Sequence, residues 1–340
     1  MKTQQKFTLD HNCIGSKQEP SKNLSQTAHT KRLLLVATLA CLWISLPTAA
    51  QTYSFRVVDV PGSSSSRVLG NTNADVLVGD YGTTGLSVNS GYVLANGTFT
   101  RIAFPTASVT FAEGINNHLQ VVGWYSDPSG KQHGFLLSGG AYRTLDFPGA
   151  INTFGGALND VGMVVGTYDD GSRLHGFSAR CNPGGGCSQF TTIDFPGSAG
   201  SAPAGINNAG QIVGDYSLTD PYMLHDWHGY LQNVNNFTKI DFPGALYTDA
   251  YGLNNSGEIV GDYVDSSKTY HGYTYINQVY TTFDVPGALN TYASTINDVG
   301  QIVGERNDQA FDQDYGFLAT PINGQNNLSA SSEHGRGKQQ

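Results

Sequence analysis

Hydrophobic residues in this chain come in short runs separated by turn-forming residues. A representative stretch, Thr238–Tyr273, reads T-K-I-D-F-P-G-A, then A-Y-G-L-N-N-S-G-E-I-V-G-D-Y, and then H-G-Y. Each run is rich in β-branched and aromatic residues, is bounded by Gly, Pro, Asn or Asp, and shows no helical period. The pattern predicts short β-strands joined by tight turns.

Two markers show that this unit occurs six times. The first is Asp-Phe-Pro-Gly, which has Val in place of Phe at two sites and decays to Ala103-Phe104-Pro105-Thr106 at a third. The second is Val-Gly, and both markers recur at steps of 44, 43, 48, 47 and 43 residues. The prolines are Pro61, Pro105, Pro148, Pro196, Pro243 and Pro286, and the glycines are Gly79, Gly123, Gly166, Gly214, Gly261 and Gly304. Equal steps for two independent markers indicate one repeated unit, and periods of this size are typical of propellers and arrays.

Each unit divides into four strands, which in one copy cover residues 202–207, 211–216, 228–232 and 237–242. The turn Asn207-Asn208-Ala209-Gly210 joins the first two strands, because Asn and Gly tolerate the positive φ of a tight hairpin. The Pro-Gly after the fourth strand ends it, because Pro cannot donate to the ladder. Six units of four antiparallel strands predict an all-β, six-bladed β-propeller.

The two ends of the repeat region predict how the ring closes. The first strand, 55–59, is a fourth-type strand with no preceding three, and the last three strands, 295–297, 301–305 and 315–318, lack a fourth. Pairing them completes the sixth blade and leaves no free edge open to aggregation. An open β-solenoid or a sandwich array remains the alternative, although neither needs this complementary truncation.

The N-terminal region resembles an export signal. Lys31-Arg32 precede an apolar run, Leu33–Leu46, which is short for a membrane span and right for a secretory signal peptide. Small residues follow, and they predict cleavage after Ala50. Cys41 leaves lipoprotein acylation as an alternative.

Composition agrees with a packed, turn-dense β domain over residues 51–320, followed by a polar, disordered tail at 321–340. The chain has 340 residues, 42 glycines and 13% charged residues. The first 50 residues contain six of the 18 basic and two of the 27 acidic residues, so the remainder has a net charge of −13. Such an acidic body excludes nucleic acid and anionic membrane surfaces as partners. The mature chain is expected to be a secreted or periplasmic monomer without a transmembrane segment.

Two further motifs resemble a known family. The segment I-N-N-A-G-Q-I-V-G at Ile206–Gly214 has a counterpart at Ile296–Gly304, and a His-Gly-aromatic segment begins at His133, His175, His228 and His271. Together they resemble the HAF-type extracellular repeat proteins of bacteria over about residues 53–320. The outer copies depart from the pattern, with Ser90 and Tyr315 in place of His and Thr72 in place of the first Asn. The resemblance implies export and a propeller-like repeat, and it implies no catalytic residues.

The loops after Val-Gly vary in length and collect carboxylates and aromatic rings. In a propeller they lie on the same face as the Pro-Gly linkers, where variable loops on a constant scaffold often bind ligands. Aromatic rings beside acidic groups suit sugar stacking, so an extracellular glycan is one candidate ligand, and the sequence does not identify the ligand. The candidate ligand-binding residues are Trp124, Asp127, Asp169, Asp170, Tyr216, Asp220, Asp226, Trp227 and Asp265. The alternative is a solvated acidic rim whose aromatics pack between blades.

Metal sites are weaker interpretations of the same loops. The repeated His and the Asp of Asp-Phe-Pro-Gly are expected to be structural, the Asp by accepting backbone N–H bonds that hold the turn. His225-Asp226-Trp227-His228 leaves a transition-metal site open, and Asp169-Asp170-Gly171 leaves Ca²⁺ open, so no cofactor is assigned.

Cys181 and Cys187 are the two cysteines that remain after signal removal, and in an exported protein they predict a disulfide across a hairpin. The sequence has no phosphate-binding loop, nucleophile elbow or zinc-protease motif.

Three functions are therefore open. The favoured hypothesis is a non-enzymatic binding or scaffold protein of the cell exterior. The second is a carbohydrate-active lyase or hydrolase with carboxylates at the channel mouth. The third is a purely structural surface-layer role, which predicts no pocket.

Overall fold

The computed structural model describes residues 52–82, 88–182, 184, 186–223, 225–308 and 314–322. These residues form 25 strands in six antiparallel sheets around a central channel. The expected signal peptide and residues 323–340 of the expected tail lie outside the described residues, whereas Pro321 belongs to the last strand of the repeat domain. No helix in the described part of the chain is long and apolar enough to span a membrane.

The six sheets are the six predicted blades, numbered here in chain order. Blades 1 to 3 consist of β2 (Ser65–Asn71), β3 (Leu77–Gly82), β4 (Val88–Ala95) and β5 (Thr98–Ile102); β6 (Val109–Ile115), β7 (Val121–Ser126), β8 (Gln132–Ser138) and β9 (Ala141–Leu145); and β10 (Asn152–Leu158), β11 (Met163–Asp169), β12 (Leu174–Cys181) and β13 (Cys187–Ile193). Blades 4 to 6 consist of β14 (Gly200–Ile206), β15 (Ile212–Ser217), β16 (Trp227–Asn233) and β17 (Asn236–Ile240); β18 (Tyr247–Thr248), β19 (Gly252–Leu253), β20 (Ile259–Val264), β21 (Tyr270–Ile276) and β22 (Val279–Phe283); and β23 (Asn290–Ile296), β24 (Ile302–Asn307), β25 (Asp314–Pro321) and β1 (Tyr53–Val58). The predicted all-β, six-bladed propeller is confirmed.

Ring closure by the leading strand is also confirmed. β1 pairs antiparallel with β25, from Tyr53 opposite Pro321 to Val58 opposite Gly316. Val58 is only 2% exposed, and the ring of Phe55 lies 6.2 Å from that of Phe317. The strand therefore completes a hydrogen-bonded ladder and contributes side chains to the core.

The strand limits differ from prediction where a linker begins. In blade 4 the fourth strand ends at Ile240, two residues before the predicted end. Asp241 pairs with the His228 ring instead, and the ring of Phe242 stacks at 3.7 Å on Tyr263 of the next blade. The Asp-Phe pair therefore belongs to the connection between blades.

The core is divided into six layers, each between two neighbouring blades. In the layer between blades 2 and 3, Val122 and Leu136 pack against Val164 and Phe177, and all four are at most 1% exposed. Burial of such a side chain contributes about 1.5–3 kcal/mol. Each blade is thus stabilised mainly by its neighbours.

A close approach between the first two strands of every blade explains the Val-Gly marker. A β-carbon placed on Gly123 would overlap the carbonyl oxygen of Phe111, and the equivalent glycine of every other blade meets a first-strand carbonyl oxygen in the same way. Directly after this contact the first strand carries a β-bulge, as between Ala112 and Gly114. In blade 5 the strand is broken into β18 and β19 at the same place.

The bulge turns one side chain of each first strand into the channel, as bulges commonly do. These six residues all line the channel, and they are Leu69, Glu113, Gly156, Ala204, Tyr251 and Ser294. Their chemistry differs from blade to blade although the backbone repeats.

At the opposite end of the channel the first Asn of the I-N-N segment links each blade to the next. Asn207 Nδ2 donates to the carbonyl of Asn254 at 3.1 Å, and its Oδ1 accepts from Gln211 N at 3.0 Å within its own hairpin. Five such links occur, from Asn116, Asn159, Asn207, Asn254 and Asn297. In blade 1, Thr72 keeps the bonds within its hairpin through Oγ1.

The next residue of the segment forms a closed ring of hydrogen bonds. In each blade its backbone N–H donates to the side-chain Oδ1 of its counterpart in the following blade, at 2.8–2.9 Å. The ring runs through Asn73, Asn117, Asp160, Asn208, Asn255 and Asp298 and returns to Asn73. We call it the amide ring.

Removing β1 tests the closure. We expect a chain that begins at Ser63 to lose about 3–6 kcal/mol of unfolding free energy relative to one that begins at Thr52, because Phe55 and Val58 leave the core. It should also aggregate through the exposed edge of β25. Urea denaturation and size-exclusion chromatography measure both effects, and equal denaturation midpoints for the two chains would contradict the role of β1.

Substitution of Asn207 tests the links between blades. Asn207→Ala leaves the buried Gln211 N–H and Asn254 carbonyl without this partner and should cost about 2–4 kcal/mol. Asn207→Thr copies blade 1 and should cost about 1 kcal/mol, because the hydroxyl keeps the hairpin bond. The exposed Ser256→Ala serves as the control and should stay within about 0.5 kcal/mol. Equal losses for Asn207→Ala and Asn207→Thr in thermal denaturation would show that the hairpin bond contributes nothing.

Candidate functional site

In four blades a histidine bridges the linker aspartate and a loop aspartate. Its Nδ1 lies 2.8–3.0 Å from the linker carboxylate, and its Nε2 lies 3.1–3.7 Å from the loop carboxylate. The sets are Asp146-His133-Asp127, Asp194-His175-Asp170, Asp241-His228-Asp226 and Asp284-His271-Asp265. Each histidine therefore ties the loop of its blade to the following linker.

The linker aspartate thus acts differently from the sequence expectation. The imidazole ring is its recurring partner, and a backbone N–H contact occurs at Asp194, from Gly176 at 3.2 Å. The turn itself is closed by a hydroxyl, as where Thr153 Oγ1 accepts from Phe147 N at 3.1 Å. A hydroxyl suffices because it needs to reach only one N–H.

Blade 1 lacks both members of the His–Asp pair. Ser90 replaces the histidine, Ala103 replaces the linker aspartate, and Arg101 Nε donates to Ser90 Oγ at 2.7 Å. Loss of both members in one blade agrees with a pair that stabilises locally.

The second-strand tyrosines are packed between blades. Tyr168 stacks at 3.7 Å on Phe147, and its ring centroid lies 4.8 Å from that of His175. Tyr216 stacks in the same way on Phe195 and is 0% exposed. Tyr216 therefore offers no surface to a ligand.

The loop aspartates organise their own loops. Asp127 Oδ1 accepts from Ser129 N at 2.8 Å and from Lys131 N at 3.0 Å. Equivalent bonds to Asp170 and Asp265 hold their loops, and Asp169 accepts from Gly171 N. The hydrogen bonds to Asp127, Asp170 and Asp265 lower the pKa of each carboxyl. The oxygens of Asp127, Asp170 and Asp265 therefore accept hydrogen bonds from their own loops and contact the bridging histidines.

The longest loop, in blade 4, is held in the same manner. Asp220 accepts from Tyr222 N at 2.9 Å and pairs with His225 at 3.1 Å, and Asp226 accepts from Thr219 Oγ1 at 2.7 Å. Trp227 stacks on Tyr247 at 4.5 Å. Because His225 and His228 pair with different carboxylates, the structure does not bring them together as ligands of one metal. Among the described residues, no group of three His, Cys, Asp or Glu side chains has the arrangement of a metal site.

The predicted disulfide is confirmed. Cys181 and Cys187 are bonded across the hairpin of β12 and β13 in blade 3. The bond lies on the face of the amide ring, away from the loops described above.

Ionisable side chains come together instead in the half of the channel nearer the linkers. A cavity there has a volume of about 350 Å³. Its wall contains Arg67, Glu113, Asp215, Asp262 and Glu305, and Asp80 and Asp249 stand directly behind. We call these seven residues the acidic basin. Four of them, Asp80, Asp215, Asp262 and Glu305, directly follow the Val-Gly glycine of their blades.

Among the described residues, Arg67 is the one cation that contacts this group of six carboxyls. Arg67 makes a two-pronged contact with Asp80, at 2.9 and 2.6 Å, and its Nε lies 3.6 Å from Glu305. Glu113 accepts from the indole N–H of Trp124 at 3.0 Å, and Asp215 accepts from Ala250 N at 2.8 Å. Asp249 shares hydrogen bonds with Asp215 and Asp262.

Burial shifts the acid–base behaviour of the basin. It raises the pKa of Glu113 and of Glu305 to about 7, although the positive charge of Arg67 opposes the shift. Burial also raises the pKa of Asp249 to about 7, and it raises those of Asp215 and Asp262 well above the usual range. Protein surrounds Glu305 on most sides, yet 21% of its side-chain surface still reaches the channel. The basin is therefore a group of proton-holding carboxyls in contact with the solvent of the channel.

Aromatic rings form the adjoining wall. Trp124 stacks at 3.9 Å on Phe111 and lies 5.4 Å from Phe154 in an edge-to-face arrangement. Trp124 and Phe154 border a second cavity of about 320 Å³, which shares the lining residues Glu113, Gly156, Thr167 and Pro203 with the first. We call Trp124, Phe111 and Phe154 the aromatic shelf. Of the nine predicted ligand-binding residues, Trp124 is the one that lines either cavity.

The sequence contained a signal for the basin. The acidic residue after Val-Gly recurs in four of six copies, and the predicted strands 211–216 and 301–305 already include two of these residues, Asp215 and Glu305. It belongs to the second strand and faces the channel. Glu113 carried no such signal, because a bulge cannot be located from alternation alone.

The His–Asp pair can be tested where its partners are simplest, at His133 and Asp146. We expect His133→Ser and Asp146→Ala each to lower the unfolding free energy by about 1 kcal/mol, since each removes one charge-assisted hydrogen bond. The double variant copies blade 1 and should cost about 0.5–1 kcal/mol less than the sum of the singles. Strictly additive losses in urea denaturation would show that the two side chains are not coupled.

The chain is similar to known proteins at the level of solved structures. No protein-family model and no curated protein sequence matches the chain. Solved structures that match include AofleA from Arthrobotrys oligospora, at 10% identity and a TM-score of 0.48, covering 80% of this chain and 90% of that one. The β-propeller domain of the Trilobed protease from Pyrococcus furiosus matches at 10% identity and a TM-score of 0.47, covering 76% and 84%. A fungal lectin from Aleuria aurantia, described as a six-bladed β-propeller with a novel fucose recognition mode, matches at 10% identity and a TM-score of 0.39, covering 75% and 88%. The propeller architecture is shown by the strand pairing of the chain itself.

Proposed function

We propose that the protein is an exported, monomeric, non-enzymatic binding protein of the HAF-type repeat class, and that its ligand is a carbohydrate. The binding site is the joined concavity of the aromatic shelf and the acidic basin. The loop rim named in the sequence analysis serves as the frame of this site.

The observation that carries the proposal is the junction of the two cavities. Glu113 belongs to both walls, and it holds the Trp124 indole at one edge of the space, while Arg67 of the neighbouring blade 1 and Glu305 of blade 6 line the first cavity. The two volumes, about 350 and 320 Å³, each fall in the range of small-molecule sites. A purely structural role would not require this space.

A carbohydrate fits the chemistry of the two walls. Sugar rings present C–H faces that pack on aromatic rings and hydroxyl groups that donate to carboxylates. The shelf supplies the rings, and Glu113 and Glu305 supply acceptors that reach solvent. Blade 3 contributes only Gly156 and Thr167 to this wall. Glycine has no side chain and threonine has a small one, so this side of the cavity leaves room for a ligand.

A second candidate function is cleavage of a glycosidic bond, by a hydrolase or by a lyase. The observation in its favour is that burial raises the pKa of Glu113 and Glu305 to about 7, where a carboxyl can act as a general acid at neutral pH. The two glutamates stand on different blades of one concavity, as a pair of catalytic carboxyls would.

A glycan array followed by calorimetric titration tests the binding proposal. We expect Trp124→Thr, which copies the Thr167 of blade 3, to weaken binding of the best array ligand about tenfold, because one stacking contact is lost. Glu113→Gln should weaken it as well. Tyr222→Ala, at an exposed rim position outside both cavities, is the control and should bind like the parent.

The same titrations separate the alternatives. Loss of binding in Tyr222→Ala with none in Trp124→Thr would move the site to the rim and contradict the proposal. Release of new reducing ends from the bound glycan, abolished by Glu113→Gln, would establish the enzyme instead.

A further inference from the structure

We propose that the carbohydrate carries a positive charge, as an amino sugar does, and that its ammonium group sits in the acidic basin facing Asp262, Asp215 and Glu305. The inference rests on the proposed function and specifies the chemical class of its ligand.

The first argument is the charge balance of the wall. Among the described residues that line the basin, Arg67 is the one cation, and its two-pronged contact with Asp80 uses that charge. When they are deprotonated, Glu113, Glu305, Asp215, Asp249 and Asp262 lack a full positive partner. Buried carboxylates are normally paired with a cation or fully hydrogen-bonded. A cation supplied by the ligand would restore that balance.

The second argument is an excess of acceptor atoms. Asp262 is 1% exposed, lines the cavity, and its Oδ1 has no hydrogen-bond partner among the described residues. Glu305 Oε2 also lacks a hydrogen bond and lies 3.6 Å from Arg67 Nε. An ammonium group has three donors and no acceptor, so it matches a wall that has acceptors to spare.

The third argument is the aromatic lining next to these atoms. Tyr251 is 36% exposed and lines the cavity together with Tyr292, whose ring lies 4.8 Å from that of Tyr270. Burial raises the pKa of Tyr251 and Tyr292, so their rings are neutral phenols at pH 7. A cation is attracted to the face of such a ring. Rings beside carboxylates favour an organic ammonium over a bare metal ion, since a hard cation such as Ca²⁺ takes six to eight oxygen ligands.

Binding of a cation must be linked to proton release. At pH below about 7 the carboxyls hold protons, and an ammonium group would displace them. The affinity should therefore increase as the pH rises from 5 to 7, by up to about tenfold per unit for each proton released. The groups that face this space or act on it are Arg67, Asp80, Glu113, Asp215, Asp249, Tyr251, Asp262, Tyr270, Tyr292, Glu305 and Asp314.

The test uses two ligands of one shape. Tetramers of N-acetylglucosamine are neutral, and tetramers of glucosamine carry ammonium groups at pH 5 to 6. We expect the cationic tetramer to bind at least tenfold more tightly at pH 6 and to gain affinity from pH 5 to 6. Titration in two buffers of different ionisation enthalpy should show proton release for the cationic tetramer alone.

Two isosteric variants make the result specific to the basin. Glu305→Gln should reduce the ratio of cationic to neutral affinity at least tenfold. Glu258→Gln removes one carboxyl near the amide ring and restores the Gln found at that position in other copies, such as Gln211 and Gln301. This control should leave the ratio unchanged.

The outcomes distinguish the two proposals. Equal affinity for both tetramers, with binding that still depends on Trp124, would overturn the inference and leave the carbohydrate-binding function intact. A glycan array with no ligand would overturn that function. Proton release on addition of CaCl₂, with no response to either tetramer, would overturn the inference in favour of a metal site.

Discussion

The architecture depends on the absence of a side chain at one position in each repeat. Where the first two strands of a blade meet, a carbonyl oxygen occupies the place that a β-carbon of the Val-Gly glycine would take. Any other residue would push the strands apart. The contact forces the first strand into a bulge or a break, and the bulge turns one side chain into the channel. The steric requirement therefore sets the backbone and determines which side chains line the interior.

This arrangement separates the constant from the variable parts of the molecule in an uncommon way. Loops usually carry function because they vary on a rigid scaffold. Here the loop carboxylates accept hydrogen bonds from their own turns and from the bridging histidines. Variation in a loop therefore changes the rim, and its chemical effect stays within that loop and its blade. The residues that differ from blade to blade within strands, such as Glu113, Gly156 and Tyr251, determine the chemistry of the channel.

The fold could be predicted from the sequence because its signals are local and repeated. Proline-containing linkers, Asn-containing hairpins and period-two strands recur six times, and the unmatched first strand identified the closure. The site could not be predicted, because it depends on contacts that alternation does not encode. Tyr216 and Trp124 both resemble aromatic residues at the start of a variable loop, yet Tyr216 is sealed between blades, and Trp124, one position earlier in its repeat, borders the channel. Likewise, Asp262 and Asp265 are three residues apart, and the first faces the basin while the second holds a surface turn.

The amide ring affects how the protein unfolds. In linear repeat arrays the end units have one neighbour each, so they fray first and unfolding can proceed unit by unit. A circle of mutual hydrogen bonds that passes through Asn73 and returns to it has no end unit. Detaching any one blade breaks two junctions of the circle at once and opens two core layers to water. Partial unfolding therefore costs free energy whichever blade detaches first. The ring should unfold cooperatively, as one unit.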